Sequence, residues 1–369
     1  MALNCGIVGL PNVGKSTIFS ALTSAPAEAA NYPFCTIDPN VGIVQVPDTR
    51  LDRIAQLIPP EKVIPAAVEF VDIAGLVAGA SSGEGLGNRF LAHIRETGII
   101  AHVVRCFDDE DVVHVAGSVD PARDIETIQV ELALADLETV DKRMARLEKE
   151  KKSNDRELAR KALAQDAVLS VLRAKLEEGT GTRNAGLTPE QLAVISDLHL
   201  ITAKPQLYVC NVDESDLTDG NEYVAQVRAI AEAEGADSVV LCGSLESEIA
   251  ALETAEERAE FLSEAGLEES GLNRLIRTAY GQLGLRTFFT AGPKEVRAWT
   301  FREGSTAPQA AGIIHSDFER GFIRAETYHC DDLFEYRSEA ALRQAGKLRS
   351  EGREYVVRDG DVMHFLFSQ

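Results

Sequence analysis

The sequence predicts an α/β protein, a doubly wound sheet interrupted by an amphipathic helical insertion and followed by a smaller mixed α/β domain. Three observations carry this. Up to about residue 115, short apolar runs alternate with helical stretches, the pattern of βα units, and the same alternation returns after residue 200. Between these blocks, from about Asp124 to Glu178, there is no Gly or Pro, and apolar residues recur at three- and four-residue steps. Beyond about Gln282 the texture changes to Gly-punctuated strands.

Taken in order, residues 3–8, 68–71 and 102–107 read as strands of the first block, and 206–210 and 238–242 as strands of the second. In the insertion, Val130, Leu134, Leu137, Met144 and Leu147 form a stripe too narrow for a core helix, and Ser153-Asn154-Asp155 breaks it. An antiparallel hairpin of two helices projecting from the body fits this; helices lying on the sheet are the alternative. Thr188-Pro189-Glu190 supplies a capping hydroxyl, a proline at the first helical position and an acid in the first turn, so a helix starts there. After a helix over 271–284, strands are expected at 286–290, 296–301, 322–328, 355–358 and 362–367. The resulting division is a domain of residues 1–123 and 200–281, a helical insertion at 124–199, and a C-terminal domain at 282–369.

Composition narrows the function. The 37 basic and 59 acidic side chains leave a net charge of -22 and a pI near 4.8, which disfavours nucleic-acid coating and sequence-specific DNA binding. Docking through a local basic face stays open, because fields are screened within roughly 10 Å at moderate salt. The six cysteines are widely spaced, without a CxxC or Cys/His cluster, and read as buried free thiols. There is no secretory leader, and no apolar run approaches the roughly 18 residues needed to span a bilayer, so no membrane partner and a reduced, cytoplasmic location are expected.

The chemistry begins at Gly9-Leu-Pro-Asn-Val-Gly14-Lys15-Ser16, a complete G-x-x-x-x-G-K-[ST] loop between an apolar strand and the helical run from Thr17. Small residues let successive N–H groups of Asn12, Val13, Gly14, Lys15, Ser16 and Thr17 face a β-phosphate, aided by the positive end of the helix. Lys15 would bridge the β- and γ-phosphates, and the Ser16 hydroxyl would coordinate Mg²⁺. Asp72, in the D-x-x-G of Asp72-Ile-Ala-Gly75, is placed to hold Mg²⁺ through water, and Gly75 to sense the γ-phosphate. Thr36, in a Pro-punctuated loop, is the candidate for a second direct Mg²⁺ ligand, with an ordinary turn hydroxyl as the alternative. Leu76 follows Gly75 where a water-orienting glutamine would stand, so hydrolysis needs another group or is slow. The glycines of 79–87 suggest a segment that orders around a triphosphate.

The base is read at Asn211-Val212-Asp213-Glu214, where guanine-binding relatives of such loops carry N-K-x-D. Lysine is replaced by Val212 and the final aspartate by Glu214. A carboxylate that pairs with the N1–H and 2-amino group of guanine would face the unprotonated N1 of adenine, a buried mismatch worth about 1–3 kcal/mol. Unless Glu214 or Asp213 reaches guanine, ATP is favoured over GTP.

These motifs, with Asn31-Tyr-Pro-Phe-Cys-Thr-Ile-Asp-Pro-Asn40, Gly83-Glu-Gly-Leu-Gly-Asn88, residues 289–300 and 307–312, resemble the YchF (Obg-like ATPase) family of translation-factor-class P-loop proteins over essentially the whole chain. The resemblance implies a Ras-like P-loop NTPase domain (the Obg-type G domain) with an inserted α-helical coiled-coil hairpin, and a C-terminal TGS domain of the ubiquitin-like β-grasp type. It also implies hydrolysis of ATP in preference to GTP and association with the ribosome. The base contacts carried over are Asn211 and the main chain of Val212, with Glu214 and Ser244 completing that wall, although Asp213 and Cys242-Gly243-Ser244-Leu245 depart from many relatives. In this family a histidine replaces the missing glutamine; the matching position is His114, which with Lys15 forms the expected catalytic pair. By sequence alone, a His between Val113 and Val115 is more often a satisfied, partly buried residue, and the catalytic role is what the resemblance implies. Asn12 matches the position that contacts a monovalent cation, K⁺, in similar loops. Two other functions fit the same residues: a GTPase switch of the Obg class, and a ribosome-binding adaptor with incidental hydrolysis.

Overall fold

The computed structural model describes residues 3–24, 40–73, 86–109, 112 and 114–368. The expectations for Cys35, Thr36, Gly75, Leu76 and the glycines of 79–85 lie outside these residues. In chain order the strands are β1 (Asn4–Val8), β2 (Val41–Gln45), β3 (Lys62–Ile64), β4 (Ala67–Asp72), β5 (Ile99–Arg105), β6 (Gln206–Asn211), β7 (Asp237–Leu241), β8 (Leu285–Ala291), β9 (Glu295–Arg302), β10 (Phe322–His329), β11 (Arg349–Glu351) and β12 (Asp361–Phe367). Compactness divides the described chain into one unit of residues 3–24, 40–42 and 70–275 and another of 43–69 and 276–368, the division falling within β2 and β4.

The first unit is built on a sheet of order β2-β4-β1-β5-β6-β7, in which β1–β5, β5–β6 and β6–β7 are parallel. The chain leaves β1 toward β4 and returns on its other side at β5, so the carboxyl end of β1 lies at a topological switch point, where open α/β sheets hold their ligands. Central β5 and β6 are buried along their whole length and mostly apolar, with His102, Arg105, Gln206 and Asn211 as buried polar exceptions. On one face Val104, Cys106, Tyr208, Cys210, Val224 and Val227 form a closed apolar cluster. The five described cysteines are all buried and free.

The insertion is two helices, Pro121–Glu150 and Arg156–Glu177. Asp120 caps the first by accepting from Arg123 N with Pro121 beside it, and Asp155 caps the second by accepting from Glu157 N and Leu158 N. Arg143 to Gln165, Lys151 to Asp166 and Arg173 to Asp141 bonds show that they run antiparallel. Their shared core holds Val140, Leu147, Leu169 and Leu172, completed by Ala185, Ile195 and Leu200 from the segment that follows. The helix Pro189–Val194 begins with the Thr188–Gln191 capping box. Asp136, fully buried, accepts from Ile201 N, Thr202 N and the Thr202 hydroxyl, pinning the return from the insertion to β6.

In the second unit the sheet order is β11-β10-β12-β8-β9-β3. The hairpin β8–β9 is antiparallel, while β12, the last strand, pairs in parallel with β8 at the centre. The helix Ala307–Ile314 packs Ala307, Ala310 and Ala311 into one apolar cluster with Phe288, Phe301 and Phe365 of the sheet. β3, from before β4 in the chain, adds a parallel edge to β9. The strand expected at 355–358 is absent. Ala307 N donates to Tyr355 O and Val357 N to Ser305 O, the two bonds of a single isolated antiparallel bridge between Val356 and Thr306, while Arg358 N turns to Asp361 Oδ2, so no ladder extends from the bridge. The edge strand is instead β11, paired with β10. Among the described residues no helix is long and apolar enough to cross a membrane.

Candidate functional site: a phosphate-loop cleft

The loop after β1 turns back into the helix Lys15–Thr23 through two left-handed residues, Asn12 (φ 64°) and Gly14 (φ 91°). Gly14 has two reasons to be glycine. Its φ is unfavourable for other L-residues, and a Cβ there would stand 2.2 Å from Asn211 Nδ2. At Gly9 a Cβ would meet the Val103 carbonyl at 2.7 Å, so the first glycine lets the loop lie against β5. Ile18 N donates to Gly14 O at 3.0 Å, which starts the helix, whose first N–H groups have no partner within the helix and suit an anion.

Around this loop lies an open cleft of about 720 Å³ lined by Leu10, Pro11, Asn12, Gly14 to Thr17, Phe107, Asp109, Val112, Asn211 to Asp213, Gly243 and Ser244. Ser16 and Thr17 are exposed in it. Lys15 is buried, and its Nζ donates to Asp72 Oδ1 at the end of β4. The strand order thus brings together the loop lysine and the D-x-x-G aspartate, which are 57 residues apart. Of the groups here the Asp72 carboxylate and the exposed Ser16 hydroxyl are hard oxygen donors of the type that suits Mg²⁺.

Asn211, 4% exposed, joins three segments. Its Nδ2 donates to Val13 O at 3.0 Å, and its Oδ1 accepts from Gly243 N at 2.9 Å. Val13 itself points into the core. The Val212 N–H donates to Leu241 O at 2.9 Å, which leaves only its carbonyl for a ligand, and its side chain is buried in the β5–β6 apolar cluster. Ser244 lines the cleft, with its hydroxyl 3.1 Å from Cys242 Sγ. Glu214 is not brought to the cleft: it opens a short 3-10 turn and is exposed. The carboxylate in the lining is Asp213, whose pKa is raised by desolvation and by Asp216, Asp109 and Asp108, against the pull of Arg105.

The wall opposite is held by a residue the sequence reading missed. Arg105, 1% exposed at the end of β5, donates from Nε to Phe107 O (3.1 Å), from Nη1 to Val112 O (2.8 Å) and from Nη2 to Asp109 O (3.2 Å). One guanidinium therefore shapes the segment that supplies Phe107, Asp109 and Val112 to the cleft. The position of this segment after a parallel strand next to β1 is the signal that could have found it.

His114 does not line this cleft. It is buried, its Nε2 lies 2.8 Å from Asp124 Oδ2, and its Nδ1 accepts from Ala116 N at 3.1 Å.

Comparison with known proteins agrees with this architecture. Residues 4–134 match the family model described as 50S ribosome-binding GTPase, and residues 285–368 match the YchF-GTPase C-terminal model, described as a protein of unknown function. The chain is 56% identical to the "Ribosome-binding ATPase YchF" of Bacillus subtilis and 54% identical to that of Haemophilus ducreyi, in each case over the whole of both chains. Its fold is similar to that of the Schizosaccharomyces pombe YchF GTPase, with a TM-score of 0.88 and 40% identity, covering 99% of this chain and 97% of that one. With a full-length match at this identity, the chain belongs to the YchF family.

Proposed function

We propose that this chain is a ribosome-associated regulatory ATPase of the cytoplasm, binding ATP in preference to GTP with Mg²⁺ and hydrolysing it slowly. The observation that carries the base preference is at β6. Glu214, the position that reads guanine in N-K-x-D, is exposed and outside the cleft lining, and buried Val212 stands where a lysine would lie. The relatives' names, which say ribosome-binding ATPase, support the substrate and the partner.

In this reading the amides of Asn12 to Thr17 cradle the β-phosphate, and Lys15 exchanges Asp72 for the β- and γ-phosphate oxygens. Ser16 and Thr36 would hold Mg²⁺, with Asp72 acting through a water molecule, Gly75 would sense the γ-phosphate, and Asn12 would contact a K⁺. Bound Mg²⁺ would supply neutralisation of charge on the β- and γ-phosphates. Asn211, the Val212 carbonyl and Ser244 face the base and sugar, with Asp213 in place of Glu214 as the nearby carboxylate. His114 positions or deprotonates the attacking water in place of glutamine. The domain plan is a nucleotide domain at 1–123 and 200–281, a coiled-coil insertion at 124–199 and a TGS domain at 282–369; the parallel β8–β12 pair supports the last.

The test compares affinities for fluorescent mant-ATP and mant-GTP with and without purified ribosomes. Tighter GTP binding would overturn the ATP assignment in favour of a GTPase switch. Ribosome co-sedimentation unchanged in Lys15→Ala would favour an adaptor whose hydrolysis is incidental.

A further inference from the structure

We propose that Asp124 is a positioning residue that stores His114 in a catalytically silent arrangement, so that hydrolysis waits on the opening of a buried His–Asp contact at the start of the helical insertion. This rests on the reading of His114 as the group that handles the attacking water.

The proton count on the imidazole carries the argument. Ala116 N–H donates to Nδ1 at 3.1 Å, so Nδ1 holds the lone pair and the proton of the neutral ring is on Nε2. That proton is donated to Asp124 Oδ2 at 2.8 Å. Neither nitrogen has a lone pair left for a water molecule. A group that must accept or orient a water proton cannot do so until one of these bonds breaks. The two side chains are only 3% and 4% exposed, so water does not stand in for either partner, and release is a discrete event.

The two ends of this contact belong to different machinery. On one side, Val112, whose carbonyl is held by Arg105, lines the nucleotide cleft two residues before His114. On the other, Asp124 lies in the first turn of the helix Pro121–Glu150. That turn is fixed by Asp120, which accepts from Arg123 N, and by the Arg123 guanidinium, which donates to Ser118 O and to Asp124 Oδ1. A shift of this first turn therefore withdraws the acceptor from Nε2 while the cleft wall keeps its own anchor. A macromolecule that moves the insertion would free the histidine and raise turnover, which is a physical route to partner-stimulated hydrolysis. The opposite role, an aspartate that orients histidine for catalysis, needs the second ring nitrogen open to the reactants, and here Ala116 occupies it.

Asp124→Asn in the full chain tests this, with kcat, KM for ATP and mant-ATP affinity measured together. Replacing a charged acceptor by a neutral one of the same shape weakens the hold, and kcat should rise about tenfold while KM and mant-ATP affinity stay within about twofold. The double variant His114→Ala with Asp124→Asn should turn over at the rate of His114→Ala alone. Asp124→Ser repeats the test should the amide disturb folding, with unchanged mant-ATP affinity as the mark of an intact nucleotide unit. A fall in kcat at constant KM in the folded variants overturns the proposal and makes Asp124 an orienting group. A rise that persists without His114 overturns it too. If His114→Ala alone turns over like the parent chain, the reading of His114 fails first, and that result is distinct from either of the others.

Discussion

Consider Gly14→Ala, alone and combined with Asn211→Ala. Gly14 has φ 91°, where an L-residue costs about 1–2 kcal/mol, and the new Cβ would lie 2.2 Å from Asn211 Nδ2. Asn211 must then move, and the Val13 carbonyl and Gly243 N–H that it serves are left unpaired in a buried setting, at about 1–3 kcal/mol each. The single substitution should therefore destabilise by more than about 3 kcal/mol. Asn211→Ala alone removes the same two bonds. Once Asn211 is gone the Cβ has room, so adding Gly14→Ala should cost only the left-handed backbone term, about 1–2 kcal/mol. The measurement is a double-mutant cycle by urea unfolding followed by circular dichroism, with mant-ATP affinity alongside. The double variant should be more stable than the sum of the singles implies, by about 1 kcal/mol or more. Effects that add to within about 0.5 kcal/mol would refute the idea that Gly14 is glycine because Asn211 occupies the space a side chain needs.

Two further outcomes follow from the cleft wall and the sheet interior. Arg105→Lys keeps the charge but replaces a planar fork bonded to three carbonyls by a single ammonium; mant-ATP affinity should fall about tenfold and stability by about 1–3 kcal/mol, and unchanged affinity would show that the 107–112 wall holds its shape without the fork. His102, 1% exposed, has its pKa lowered by burial to about 4. A folded-state value below the unfolded value means that the unfolded chain binds the extra proton first. His102 thus favours the fold fully above about pH 6.5, and that stability is lost as pH falls toward 4, by about 3 kcal/mol in total. His102→Gln should flatten this part of the stability curve between pH 6.5 and 4, measured as the difference from the parent chain; identical pH slopes would refute the assignment.

The amino-acid sequence by itself determined the features whose physics is local. The spacing of Gly9, Gly14, Lys15 and Ser16 prescribes a loop closed by a left-handed turn and a helix start, and the structure has both. Thr188-Pro189 and the helix-breaking Ser153–Asp155 are caps and stops that act within one turn, and they fall where a helix begins and where two helices meet. The apolar stretches within β5 and β6 were legible because strands buried on both faces are mostly apolar, whereas their buried His102, Arg105, Gln206 and Asn211 gave no such signal.

What only the tertiary structure decided involves partners far apart in the chain. β3, three residues long with no apolar alternation, is a strand because β9 offers it an edge. Residues 355–358 have strand composition but form only one isolated bridge, to Thr306, because Arg358 N turns to the Asp361 carboxylate instead of continuing a ladder. The pairing of Lys15 with Asp72, the grip of Asn211 on Val13 and Gly243, and the turning of Glu214 away from the cleft all span strands set side by side by the sheet. His114 shows the difference most directly. Its neighbours in sequence allowed either a buried or a catalytic histidine, and the hydrogen bonds from Ala116 and to Asp124 decide its protonation pattern. Sequence spacing prescribes what a segment can do within a turn or two; the protons and charges of a site are assigned by groups that only folding brings within 3 Å or so of one another.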